Sequence, residues 1–134
     1  MKAIYDYCVG EKVFYGVLKN GKLDIGETTI KKIFANNHRP RKFLEVDIKG
    51  KTMSFDLYDN AKTTMFPSHG GGYCNHICIA VSEEHVKKMM LRVAELDARD
   101  IEYEVLSKQK KLDTLKKTQN KYHNLIEKLK NVNY

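Results

Sequence analysis

The sequence predicts an α+β fold: a mostly antiparallel sheet, one packed amphipathic helix and a long C-terminal helix. Three observations carry this. Short strand-like runs at 12–18, 22–25, 42–49 and 52–58 are joined by Asn-Gly and Gly-Lys turn signals, the last two with a strong two-residue apolar alternation. A helical stripe follows Ser82, and no glycine or proline occurs after Gly72. The composition, 42% hydrophobic and 31% charged in 134 residues, is that of a chain able to bury a core. No apolar run reaches the length of a membrane span, and Met1–Gly10 lacks the apolar stretch of a secretory signal. Three cysteines suggest thiols in a reducing compartment, hence a cytoplasmic location.

Taken in order, residues 2–9 and 12–18 read as strands. Asn20-Gly21 turns the chain into Lys22–Ile25. Thr28–Phe34 is ambiguous: Ile30, Ile33 and Phe34 share a helical face, but the threonine pair resists helix. Residues 35–41 form a polar loop. In 42–49 Leu44, Val46 and Ile48 point one way; in 52–58 Met53, Phe55 and Leu57 do. Residues 59–72 read as a loop and 73–81 as a strand with Ile77, Ile79 and Val81 on one face. Ser82 caps a helix whose first turn carries Glu83 and Glu84, with Val81 and Val86 as a hydrophobic staple. Its buried stripe is Val86, Met89, Met90, Val93 and Leu96. Residues 100–106 alternate again, Ile101, Tyr103 and Val105 against Asp100, Glu102 and Glu104, and predict a strand joined to 73–81 by a right-handed crossover. From about Ser107 to Lys130 the helical pattern returns. The expected organisation is an α+β body over 1–106 and a basic helix over 107–134.

The net charge of +7 is concentrated at one end. Residues 1–106 hold 16 Lys/Arg against 15 Asp/Glu; residues 107–134 hold eight lysines against Asp113 and Glu127. A field localised in this way attracts nucleic acid, a membrane surface or an acidic protein face, although a lysine-rich helix also serves simply as a solvated surface. With 20 Lys and four Arg, nucleic-acid contact would be salt-sensitive and poor in sequence preference, because forked base-edge reading leans on arginine.

In heptads, Leu112, Leu115, Gln119, Tyr122, Ile126 and Leu129 occupy a and d positions, flanked by Lys111, Lys116, His123 and Lys130. These lysines disfavour pairing with a second copy, and the seam would suit an acidic surface better, such as a sheet face bearing Glu45, Asp47, Asp56, Glu102 and Glu104. Docking back on the body, exchange between protomers in a homo-oligomer, and a free arm for a partner protein all remain open at this point.

Other constellations are weaker. The glycine triplet Gly70, Gly71, Gly72 beside His69 suits an anion nest or a connector, but its loop-then-strand order matches no phosphate-loop fingerprint. Arg39 and Arg41 are forked anion donors in the polar loop, and Arg92 and Arg99 lie along one side of the middle helix. Cys74, His76 and Cys78 alternate onto one strand face, a spacing that suits no closed zinc knuckle. Asp47 and Asp56 are a formal carboxylate pair. Asn75-His76-Ile77-Cys78-Ile79-Ala80-Val81-Ser82-Glu83-Glu84-His85, with the helix and strand expected after it, resembles half a module of the vicinal-oxygen-chelate (glyoxalase-like) metalloenzymes. That resemblance implies a metal-ligand role for His76. The first half of the chain lacks the matching unit, and the run after Leu106 is helical where that family continues with strands.

The leading expectation is a non-enzymatic binding protein for a phosphate-bearing partner, nucleic acid or a nucleotide-type ligand. It uses no cofactor or metal, and its binding residues are Arg39, Arg41, His69, Gly70, Gly71, Gly72, Arg92, Arg99, Lys111, Lys116, Lys117 and Lys121. The alternatives are a protein–protein inhibitor or adaptor, with phage-like Lys-, Asn- and Ile-rich usage, and a small Cys/His enzyme.

Overall fold

A computed structural model describes residues 2–36, 41–58, 61–65 and 75–132. By contacts the chain divides into two units, Met1–Asp97 and Ala98–Tyr134. The first is a curled antiparallel sheet of six strands in the order β4-β3-β2-β1-β6-β5. Its strands are β1 (Lys12–Lys19), β2 (Lys22–Asn36), β3 (Arg41–Ile48), β4 (Lys51–Tyr58), β5 (Thr63–Met65) and β6 (Asn75–Ala80). Helix α1 runs from Glu83 to Lys130, so the α+β class holds.

Turn chemistry sets the registers. Asn20 (φ 51°) and Gly21 (φ 77°) close the β1–β2 hairpin, while Lys49 (φ 50°) and Gly50 (φ 79°) close β3–β4. Two successive positive φ values match the twist of paired strands. The ambiguous segment 28–34 proves to be strand. β2 is 15 residues long because its first half pairs with β1 and its second half with β3. A bulge between Ile30 and Lys32 bends it where the two pairings meet, which is how one strand curls the sheet. The edges β4 and β5 come together, Thr64 Oγ1 donating to the Asp56 carbonyl at 2.6 Å.

The curl encloses Val13, Ile30, Leu44, Val46, Ile48, Phe55, Leu57, Ile79 and Val81, all buried. The alternation read for β3 and for Phe55 and Leu57 of β4 is thus the inner face, with Met53 only half-buried. Each such aliphatic or aromatic side chain contributes about 1.5–3 kcal/mol on burial. The N-terminal segment closes one end. Residues 2–9 are not a strand: a 3₁₀ turn, Ile4–Asp6, plugs the sheet with the fully buried Ile4. Its amide donates to the Ala61 carbonyl at 2.8 Å, and Lys42 Nζ donates to the Tyr5 carbonyl at 2.9 Å.

β6 is covered on both faces at its second half, which explains the small and apolar run Ile77–Ala80. Ile79 faces the interior, while Cys78 and Ala80 lie with Leu18 beneath Val86 and Met90 of α1. Gly16 on β1 lets the helix approach: a Cβ there would sit 2.5 Å from Val86 Cγ1. Ser82 caps α1, its Oγ accepting from the His85 amide at 3.2 Å. Val81 and Val86, expected to clasp each other, are buried in different clusters, and Leu96 is exposed where Ala94 takes its place against the sheet.

Two expectations are corrected in the second half. Residues 59–72 are not all loop, since Thr63–Met65 form β5. Residues 100–106 are helix, not strand, so there is no crossover unit, and α1 continues unbroken through the segment. The second unit, from Ala98 onward, consists of this helix. Its apolar side chains from Ile101 to Val132 are exposed.

Candidate functional site

The first unit sets several of its surface lysines against carboxylates. Among the described residues Lys2 lies 2.8 Å from Glu11, Lys12 3.0 Å from Glu27, Lys31 3.6 Å from Asp47, and Lys49 2.5 Å from Asp24. The Lys2 hydrogen bond holds the Glu11 carboxyl below its usual value, the Lys49 hydrogen bond does so for Asp24, and the Thr52 hydroxyl does so for Asp47. Arg41 is the first residue of β3. Its fork is already engaged: Nε donates to both Asp56 oxygens at 2.7 and 2.8 Å, Nη2 to Asp56 as well, and the guanidinium lies over Phe43 and Tyr58. Arg39, His69, Gly70, Gly71 and Gly72 lie outside the described residues, as does Cys74.

One cleft, of about 390 Å³, opens at the sheet end opposite the N-terminal plug. Three elements converge there: the end of β1 (Val17, Leu18, Lys19), the β3–β4 turn (Ile48, Lys49, Lys51, with Met53) and the start of β6 (His76, Ile77). The floor is apolar and the rim cationic, a lining suited to a small anion with an apolar part. Lys19 and Lys51 have no carboxylate within ion-pair distance among the described residues. None of these rim lysines stood out in the sequence, because the strand register that gathers them is set by two hairpins some thirty residues apart.

His76 Nε2 meets Asp97 Oδ2 at 2.8 Å, both side chains mostly buried. This tie between β6 and α1 was invisible in the sequence, where Asp97 is one polar residue among many on a helix. Cys78, two residues on along β6, is fully buried, and burial pushes its thiol up to about 12. A thiol so disfavoured as thiolate is no nucleophile at neutral pH. Among the described residues no cluster of His, Cys, Asp and Glu could hold a metal ion. Helix 83–130 stands where a glyoxalase-like module needs its next strand. Asp47 and Asp56 are not adjacent: Asp47 pairs across to Thr52 and Asp56 to Phe43, four ladder positions away, or about 13 Å at strand rise. Glu102 and Glu104, expected on an acidic sheet face, are helical, and Lys108 lies 3.4 Å from Glu104 one turn away.

The second unit carries the lysines. At 3.6 residues per turn Lys110, Lys117, Lys121 and Lys128 fall within a stripe about 40° wide and about 27 Å long. All four are exposed, and none lies within ion-pair distance of a carboxylate among the described residues. The stripe is opposite the apolar seam of Leu112, Leu115, Tyr122, Ile126 and Leu129. Of the expected binding residues, Lys117 and Lys121 lie on this ridge, while Lys111 and Lys116 flank the seam on either side. Lys110 and Lys128 complete the ridge; their 7-4-7 spacing from Lys117 and Lys121 was the signal that identifies them. Arg92 and Arg99 are exposed on α1, in the first and second unit respectively.

No helix among the described residues is long and apolar enough to cross a membrane. Comparison with protein-family models, with curated proteins and with solved structures finds no match to this chain.

Proposed function

We propose that this protein is a non-enzymatic binder of phosphate-bearing polyanions, nucleic acid in the first instance, and that the lysine ridge of α1 is its contact surface. One observation carries the reading: four exposed lysines are aligned on one helix face with no carboxylate neighbour among the described residues, whereas Lys12, Lys31 and Lys49 of the sheet each lie against a carboxylate. A cation already engaged by a carboxylate gains little from a phosphate; an unpaired one releases the phosphate's counterions on contact. A row of lysines follows a backbone and reads no base edges, so binding is expected to be indifferent to sequence. Titration of the full chain with duplex and single-stranded nucleic acid at low salt tests this. Binding weakened, with a shallower salt dependence, by Lys117→Gln with Lys121→Gln supports it, and absence of binding to either form refutes it.

The cleft favours a second reading, a nucleotide-type ligand seated on the apolar floor with its phosphate at Lys19 and Lys51. Binding of that kind would tolerate salt, respond to Lys19→Gln and Lys51→Gln, and ignore the ridge substitutions.

A further inference from the structure

We infer that residues 98–129 of α1 pair with the same residues of a second copy of this chain, as an antiparallel two-stranded coiled coil. The inference stands on the apolar seam and does not depend on anion binding at the opposite face. With residues 100–106 helical, the heptad pattern extends toward the N-terminus through Ala98, Ile101 and Val105. The seam then has ten a and d positions, of which eight are apolar and only Lys108 and Gln119 are polar. It extends over about 48 Å, and its members from Ile101 to Leu129 are exposed in the single chain. A helix of this length with an uncovered apolar seam draws little stability from propensity alone and is completed by a partner helix.

The polar positions choose the orientation. In a parallel pair each a or d residue meets its own copy, so Lys108 faces Lys108 inside the seam and Gln119 faces Gln119. Lys111 then also flanks Lys116 on both sides, with no carboxylate to offset either contact. In the antiparallel register that sets Leu112 against Leu115 of the second copy, the remaining layers are Val105 with Tyr122, Ile101 with Ile126 and Ala98 with Leu129. Every apolar position then meets an apolar one, and Lys108 falls opposite Gln119, joining the two polar interruptions in one layer. A polar layer of this kind fixes register. The same alignment brings Glu102 between His123 and Lys130 of the second copy, twice by symmetry. These contacts offset the Lys111–Lys111 and Lys116–Lys116 approaches near the two-fold axis. The acidic flank that argued for a foreign surface is thus supplied by the helix itself.

The mass of the full chain, measured by sedimentation equilibrium from micromolar to near-millimolar concentration, tests the pairing. The expected value is twice the 15.6 kDa chain mass, returning to one chain in Leu112→Asp with Leu115→Asp. Both positions are exposed, and far-ultraviolet dichroism checks that the strands persist. In chains carrying Cys8→Ser and Cys74→Ser, oxidising a mixture of Val105→Cys and Tyr122→Cys proteins is expected to link unlike chains only. A single-chain mass throughout, a stoichiometry other than two, or cross-linking of Val105→Cys to itself would overturn the proposal.

Discussion

Neutralising two lysines of the ridge should halve the salt dependence of polyanion binding, and the size of that change follows from the geometry. Four lysines on one helix face meet one backbone, so about four phosphates are neutralised, and for a duplex log K falls with log salt at a slope of about −3.6. Raising salt fourfold then weakens binding roughly 150-fold. Lys117→Gln with Lys121→Gln leaves two contacts, a slope of about −1.8 and a loss of roughly 12-fold over the same range. The lysines beside the seam, Lys111 and Lys116, lie off the ridge, and Lys116→Gln should leave the slope unchanged. The assay is fluorescence anisotropy of a labelled duplex at several salt concentrations. A slope unchanged by the ridge pair, or one carried instead by Lys19 and Lys51, would refute the assignment of binding to this face.

Four further outcomes are expected. Gly16→Ala drives a methyl to 2.5 Å from Val86 Cγ1; Val86 is stiff in a helix, so destabilisation of about 1–3 kcal/mol should appear in the urea midpoint, and an unchanged midpoint would refute the close approach of α1 to β1. The Cys78 thiol, raised to about 12 by burial, binds its proton more tightly in the folded state. Its contribution is complete below the ordinary thiol value and lost as pH rises toward about 12, so alkaline unfolding should begin later in Cys78→Ala once the cavity cost is subtracted, and iodoacetamide at neutral pH should modify Cys8 well before Cys78. Glu11, Asp24 and Asp47 have lowered values; the stability they provide is complete above the usual carboxylate range and lost as pH falls through their folded values, a loss that high salt should diminish if the lysine pairs cause it. Asp97→Ala leaves the mostly buried His76 without its partner and should cost about 1–3 kcal/mol in thermal or urea melts, with His76→Ala adding little in the double variant; additive losses would show that the pair is not coupled.

Much of the sheet was legible because its signals are local. Asn20-Gly21 fixes one hairpin by backbone conformation, and Leu44, Val46, Ile48, Phe55 and Leu57 alternate cleanly since one face of β3 and β4 is buried. Thr28–Phe34 stayed ambiguous because β2 changes partner within it, and the bulge at Ile30 breaks the alternation that would have marked a strand. Residues 2–9 misled for the opposite reason. Ile4 is buried as a plug, so an apolar residue there reports an end of the core and not a strand face. Of the site, Lys117 and Lys121 could be placed from helical periodicity alone. The cleft and the His76–Asp97 tie could not, since each joins residues that only the strand registers and the packing of α1 bring together.

The error at residues 100–106 shows what decides between competing periods. Ile101, Tyr103 and Val105 alternate with acids as well as any strand in the chain, yet Ala98, Ile101, Val105 and Leu112 also continue a heptad seam in which Lys108 holds the intervening d position. A six-residue alternation has value only if a neighbouring strand accepts it. The seam is supported over the whole of Ala98–Leu129 by a helix with no glycine or proline to stop it, and a helix forms cooperatively along its length. The longer pattern therefore prevails, and it alters the electrostatics. Read as a strand, Glu102 and Glu104 belong to a sheet and the lysines after Ser107 lack a counterweight. Read as helix, the same residues put acid at one end of a rod and base at the other, the arrangement that a head-to-tail pair of identical rods satisfies. Pairing along the seam leaves Lys110, Lys117, Lys121 and Lys128 on the outer face of each rod. Charge-swapping Glu102→Lys with Lys130→Glu should therefore preserve both the dimer mass and the ridge, whereas Glu102→Lys alone should weaken the dimer; equal behaviour of the two variants would show that these flanks do not meet.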